Sequence, residues 1–412
     1  MPEFLQLTAP AEALERFLSN FPATNYQMAQ TISTADALGR VLAEDVRAPH
    51  PLPPFARTTV DGYAVRAADT YGASMSLPAY LVLIGEVHMG TSTDLSIMPG
   101  QAALVHTGSM IPEGSDAVVM LEDTQQAQEA EIEILKPAAV GENILQIGED
   151  VKAGEQVLTR GTRLRPQEIG GLMALGVDKV RVTKQPRVGI LSTGDEVVPP
   201  HAEPLPGQVR DINSYTLGSL IERAGGETNL RGIIPDHLDD LRAAAQRAHA
   251  EDDLVVITAG SSVSTRDITA IVIRELGEPG VLVHGVSIKP GKPTILAVCD
   301  GVPVIGLPGN PVSALVVAGL FVVPAIHKLI GWDEPARESC VSARMTANIA
   351  SVAGREDYLP VRLVADAEGL HAEPVYGRSN LIFTLVRADG LVCIPPEVTG
   401  LAVGDEVVVR LF

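Results

Sequence analysis

The sequence predicts a multidomain α/β plus β protein, and three patterns carry that expectation. A strand, loop, helix rhythm repeats between Arg187 and about Ile330; short glycine-broken strand patterns fill Thr58 to Thr124; turn-rich strands resume from Val341 to Phe412. At 412 residues the chain exceeds one ordinary core, so two to four domains are expected.

Taken in order, Pro10 to Phe17 and Ser33 to Leu42 have helical spacing, and the cluster His50-Pro51-Leu52-Pro53-Pro54 marks a boundary. Tyr80 to Val87, Ala102 to Val105 and Asp116 to Leu121 then read as strands of a compact β-rich domain. The stretch Ile144 to Val180, with a helix expected over Pro166 to Leu175, is placed back against the N-terminal helices.

The α/β domain is expected from Val188-Gly189-Ile190-Leu191 with helix Ser214 to Ala224, Leu254-Val255-Val256-Ile257 with helix Thr269 to Leu276, and Val304-Ile305 with its own helix. Short apolar strands alternating with helices argue a parallel, doubly wound sheet, which binds ligands beyond the carboxyl ends of its strands. The last segment, with Tyr358 to Val364 and Glu406 to Leu411 as its clearest strands, suits a small β-barrel. The expected division is 1–50 with 140–182 as a discontinuous helical and linker domain, 51–139 as the β-rich domain, 183–332 as the α/β domain and 333–412 as the barrel.

Composition narrows the function classes. Acidic residues outnumber basic ones 51 to 31, giving a net charge of −20 that disfavours nucleic acid and anionic membranes as partners. The apolar run Val312 to Ile330 is interrupted by Pro324 and is expected as a buried helix, not a membrane span. The start, Met1-Pro2-Glu3-Phe4-Leu5, lacks a basic region followed by an apolar core, so no signal peptide is expected. Cys299, Cys340 and Cys393 lack CxxC spacing and are expected to be buried free thiols of a reducing cytoplasm.

Two stretches suggest chemistry: Ile288-Lys289-Pro290-Gly291-Lys292-Pro293 and Gly306-Leu307-Pro308-Gly309-Asn310-Pro311-Val312-Ser313. The second puts Asn310 at an N-cap and Pro311 at the first helical position, so that Pro308, Gly309 and Asn310 lead into free amides facing an anion. Lys289 and Lys292, restrained by their prolines, supply the opposing charge at reduced entropic cost. No Gly-x-x-x-x-Gly-Lys-Ser/Thr occurs, which argues against ordinary kinase or ATPase chemistry.

Asp195 and Glu196 close one α/β strand, where alternation would turn only one of them to the ligand. With Asp236 and Asp267 they suggest an acidic rim for a hard cation such as Mg²⁺, the plainer reading being helix caps and solvated loop charges. Ser261, Ser262, Ser264 and Thr265 could donate to phosphate; a serine nucleophile is disfavoured because no Gly-x-Ser-x-Gly elbow occurs. Asp61-Gly62 and Thr107-Gly108 would by themselves be turns, and the nine histidines stand singly, without metal-ligand spacing.

Six motifs in order then give a resemblance: Val60-Asp61-Gly62-Tyr63-Ala64-Val65-Arg66; Thr107-Gly108 with Pro112-Glu113-Gly114-Ser115-Asp116-Ala117-Val118; Gly148-Glu149-Asp150; Leu191-Ser192-Thr193-Gly194-Asp195-Glu196; Ile288 to Pro293; and Gly306 to Ser313. Over essentially its whole length the chain resembles the molybdopterin molybdenumtransferase family, MoeA and the gephyrin E domain. The resemblance implies an elongated homodimer with a molybdopterin-binding α/β domain, whose site lies between that domain and the partner's β-rich domain. It implies insertion of molybdate into adenylylated molybdopterin with release of AMP, dependent on Mg²⁺. Partners would include the upstream molybdopterin adenylyltransferase and recipient molybdoenzymes.

By position, the resemblance makes Asp61, Glu196, Asp267, Lys289 and Lys292 catalytic, with Glu196, Asp236 and Asp267 as metal ligands. Thr107, Asp150, Asp195, Asp236, Ser261, Ser262, Ser264, Pro308, Gly309, Asn310, Arg355 and Ser379 would bind substrate. Three departures stand out: Gly260-Ser261-Ser262-Val263-Ser264-Thr265 replaces a glycine-rich loop, Gly285 replaces a lysine, and Arg57-Thr58 replaces an Asn-Ser pair. Tungstate as the oxyanion, and a non-catalytic dimeric scaffold, are the alternative readings; an adenylyltransferase would need little beyond Arg187 to Ile330.

Overall fold

Four parallel strands, Glu227–Ile234, Arg187–Thr193, Leu254–Ala259 and Val302–Pro308, lie side by side in the α/β sheet. The computed structural model describes residues 7–23, 28–259, 263–332 and 339–412. Two further strands, Ile295–Cys299 and Pro279–His284, complete the sheet in antiparallel sense. The sheet is therefore mixed, not wholly parallel as expected. The cause is local: Asp300 and Gly301 adopt φ of 45° and 86°, the two-residue reversal that an Asp-Gly step favours between antiparallel strands.

Side-chain alternation divides the core. Val188, Ile190, Val256 and Ile305 face the helices Asn213–Ala224 and Pro311–Leu329, joined by Phe17 of helix Pro10–Leu18. Leu191, Val255, Ile257 and Val304 face Leu238–Glu251 and Val263–Arg274 on the other side. The strand Glu227–Ile234 and the helix Leu238–Glu251 were not anticipated, and the last helix of this pair begins earlier than the expected Thr269. The apolar helix Pro311–Leu329 is long enough to cross a membrane, yet Val312, Val316, Val317, Phe321, Val322 and Ile326 are core residues. It contains a π-helical segment, Ala318–Val322, ahead of Pro324.

The expected helix over Ser33 to Leu42 is absent. Gln30–Ser33 is instead a strand paired with Lys179–Val182, followed by a 3-10 turn, Thr34–Asp36. The backbone here bonds across the chain, with Thr34 N donating to Asp178 O and Leu42 N to Thr162 O, and Gly39 turns with φ of 76°. Helix Pro166–Ala174 does return to this segment, and Ala37, Leu42, Leu164, Leu172, Val180 and Val182 share one apolar cluster.

The first β-rich sheet has the order Ala117–Met120, Gly62–Val65, Gln101–Val105, Ala79–Val87, Glu131–Ile134, Thr124–Gln128. Gly62 is required by its neighbour, since a Cβ there would lie 2.1 Å from the Val119 carbonyl oxygen. The C-terminal strands Glu356–Asp366, Gly369–Pro374, Cys340–Met345, Glu406–Leu411 and Gly390–Ile394 close on themselves as a five-stranded barrel. One strand of the α/β region, Ile288–Lys289, adds in parallel to Glu356–Asp366, stitching the two regions together. Of the three free cysteines only Cys299 is buried; Cys340 and Cys393 are exposed, because both lie on barrel strands and point away from its small core.

Candidate active site

A cavity of about 1090 Å³ opens at the seam between the carboxyl end of the α/β sheet and the barrel. Lys289, Lys292, Pro308, Gly309, Asn310, Arg355 and Ser379, all expected site residues, line it together. Arg378 and Tyr376 also line it and had not been singled out.

The lysine turn is built for this position. Val286 N donates to Lys292 O, Gly285 N to Thr294 O, and the Thr294 hydroxyl to Gly291 O at 2.6 Å, closing the loop. Gly291 sits at φ of 116°, and a Cβ there would lie 2.3 Å from Val317 Cγ2, so only glycine lets the turn rest on the apolar helix. Gly285, just ahead of the turn, has φ of 105°, a conformation that strains L side chains.

Strand pairing places Asp357 opposite Lys289. Arg355 donates to Asp357 through Nε at 2.7 Å and Nη2 at 3.2 Å, and the Lys289 ammonium lies 3.6 Å from the same carboxylate. Asp357 is buried, whereas Lys289 remains 59% exposed, so the carboxylate orients the lysine without covering it. Asp357 was missed in the sequence: Arg355 lies just before strand Glu356–Asp366, and the pairing of Asp357 with Lys289 comes from strand register.

The helix start differs from expectation in detail. Asn310 does occupy the N-cap and Pro311 the first helical position, but the Asn310 side chain makes no cap bond. Its amide instead donates to the Ser379 hydroxyl at 3.0 Å, and Val312 N donates to the Ser379 carbonyl. One amide expected to face an anion is thereby taken by the barrel. Asn213 fixes the same turn from behind, donating to Gly309 O at 2.8 Å.

The acidic residues lie elsewhere on the strand ends. Asp195 and Glu196 fall in a turn beyond Arg187–Thr193, and both are exposed, so strand alternation does not sort them. Asp195 accepts a hydrogen bond from Asp236 N at 3.1 Å, linking the ends of two adjacent parallel strands. Asp195, Glu196 and Asp236 do not line the cavity, nor do they converge as a three-donor group among the described residues. Ser261 and Ser262 lie outside the described residues, as do the side chains of Ser264, Thr265 and Asp267.

Asp61 and Thr107 form a second, separate centre on the first β-rich sheet. Thr107 donates to Asp61 Oδ1 from its amide at 2.7 Å and its hydroxyl at 3.1 Å, and these bonds, the amide first, lower the Asp61 pKa. Gly108 N donates to Thr58 O, pinning the turn that carries Thr107. Asp150 is exposed in a turn of its own. None of these three residues lines the cavity. The histidines are not all solitary either: His88 and His106 flank Glu86 beside this centre, because neighbouring strands juxtapose residues far apart in sequence.

Comparisons with known proteins agree with this layout. Residues 8–176 match the model described as the MoeA N-terminal region (domain I and II), residues 189–328 a probable molybdopterin binding domain, and residues 342–412 the MoeA C-terminal region (domain IV). The molybdopterin molybdenumtransferase of Haemophilus influenzae is 32% identical over 386 residues, covering 92% of this chain and 93% of the relative. That of Bacillus subtilis is 34% identical over 387 residues, covering 92% and 89%. A crystal structure of the molybdopterin biosynthesis MoeA protein from Pyrococcus horikoshii OT3 superimposes with a TM-score of 0.86 at 34% identity, covering 99% of this chain and 100% of the other.

Proposed function

The chain belongs to the MoeA family, and on that premise we propose that it is a molybdopterin molybdenumtransferase, inserting molybdate into adenylylated molybdopterin with release of AMP. The observation that carries this reading is the convergence of Lys289, Lys292 and Arg355 on one cavity of a chain whose net charge is −20. Cations gathered in one cleft of an acidic protein select a small oxyanion and a phosphate by local field.

In this reading Lys289 and Lys292 hold the oxyanion, while Arg355, squared against Asp357, presents its remaining donors as a planar fork. The Pro308-Gly309-Asn310 turn, clamped by Asn213 and Ser379, sets the cavity's far wall. The protein's main contribution is positioning and charge stabilisation.

Mg²⁺ belongs to the same proposal. Glu196 and Asp236, beyond the strand ends, and Asp267, in helix Val263–Arg274, are all carboxylates, a donor type that suits a hard cation that keeps several waters and completes its shell on substrate phosphate. When bound, such an ion neutralises charge on the adenylate phosphate. The Asp61–Thr107 centre lies outside this protomer's cavity, which supports a homodimer in which the partner's β-rich sheet completes the site. Work on a cytoplasmic substrate fits the thiols, all three of which are free.

The test is oxyanion-dependent turnover in wild type and Lys289→Ala. Loss of that dependence in the variant, with fold retained, supports the assignment; wild-type turnover in the variant refutes it.

A further inference from the structure

Glu86, His88 and His106 each offer one ligand atom, and the three atoms lie within 4.8 Å of one another. Strand Ala79–Val87 runs parallel to Gln101–Val105, with Glu86 opposite Leu104 and Val87 opposite Val105. Carried one step further, that register sets residue 88 opposite residue 106, so Glu86, His88 and His106 rise from one face of the sheet. The register shifts by one residue between Leu83 and Glu86. Without that bulge Glu86 would pair with the buried Val105 and turn toward the core; with it, the carboxylate is aimed at His106.

His106 Nε2 is 2.7 Å and His88 Nδ1 3.3 Å from the same oxygen, Glu86 Oε1. The main chain at His106 is held, since His106 N donates to Ser109 Oγ and Ser109 N to His106 O. The His88 side chain is 70% exposed, which leaves space for it to turn and complete a shell.

We propose that Glu86, His88 and His106 bind a divalent transition-metal ion of the zinc type, with water in the remaining position. Two imidazoles and one carboxylate match the donor set of three-ligand zinc sites, and they discriminate against Mg²⁺ and Ca²⁺, which take oxygen ligands. The site is therefore distinct in chemistry and place from the carboxylate rim proposed for Mg²⁺. An ion here ties strand Ala79–Val87 to the residue that opens the Thr107 turn, and so braces the turn that meets Asp61.

The experiment uses the full-length chain, stripped with a chelator and titrated with Co²⁺ by visible absorption, then with Zn²⁺ in competition. It reads binding directly, so it is independent of the proposed transferase reaction. The expected result is one ion per chain at this site, with His88→Ala and His106→Ala each weakening Co²⁺ binding by about tenfold or more, since even loss of an outer-shell partner costs 10–100-fold. A Cys340→Ser, Cys393→Ser double variant is expected to bind as wild type, and circular dichroism verifies that each variant is folded. Binding unchanged in both histidine variants, or no binding by wild type, overturns the proposal.

Discussion

Asp357 stands directly opposite Lys289 in parallel strand register, and its buried carboxylate is shared by the Lys289 ammonium and the Arg355 guanidinium. One residue of the barrel thus orients two cations of the cleft, one from each side of the seam.

Asp357→Ala removes that anchor and leaves both cations without their common partner. We expect a loss of about 1.5–3 kcal/mol in stability, the usual range for hydrogen bonds to charged groups. The KM for the oxyanion should rise as well, measured by chemical denaturation and by steady-state kinetics on the same preparation.

Lys289→Ala and Lys292→Ala act on exposed side chains and should leave the fold intact. Each is expected to weaken oxyanion binding by about tenfold, equivalent to roughly 1.4 kcal/mol. Titration at several ionic strengths should show a shallower salt dependence in each variant than in wild type.

Gly291→Ala forces a Cβ to within 2.3 Å of Val317 Cγ2 and 2.9 Å of Ile288 Cδ1, at a φ of 116°. Overpacking and backbone strain together should cost about 1–3 kcal/mol. Because the strain falls on the lysine turn, oxyanion affinity should drop along with the melting temperature in a thermal scan.

Thr107→Val keeps the amide bond to Asp61 but removes the hydroxyl one. The Asp61 pKa, lowered in the wild type, should move up toward the ordinary aspartate value. The carboxylate then protonates at higher pH as the solution is acidified, a change readable by carbon NMR titration of Asp61.

His327 packs edge-on against Trp332, with ring centroids 4.3 Å apart, and burial, aided by Arg163, brings its pKa down to about 4. With an unfolded value near 6.5, the neutral ring contributes stability that is fully present above about pH 6.5 and is lost as pH falls toward 4. His327→Phe should flatten the pH dependence of unfolding in that window by on the order of 2–3 kcal/mol.

Much of the fold was legible because strand and helix periods were clean. Leu254–Ala259 and Glu406–Leu411 fall close to where their apolar patterns put them. The errors came where backbone partners are distant: Thr34 bonds across to residues 177 and 178, which no local spacing announces. The Asp300-Gly301 step carries the local signal of an antiparallel hairpin, which the surrounding α/β rhythm masks in the sequence. At the site, the lysine turn and helix start were visible as motifs, whereas Asp357 and the Glu86, His88, His106 cluster depend on strand register.

The most direct measurement is a reconstitution of purified protein with adenylylated molybdopterin and Mg²⁺, following AMP with and without molybdate or tungstate. AMP release that requires an oxyanion and collapses in Lys289→Ala is the predicted result, and the preferred oxyanion names the metal inserted. An adenylate that stays intact with both oxyanions, or is cleaved equally without either, would contradict the assignment of the cavity as an oxyanion-dependent transferase site.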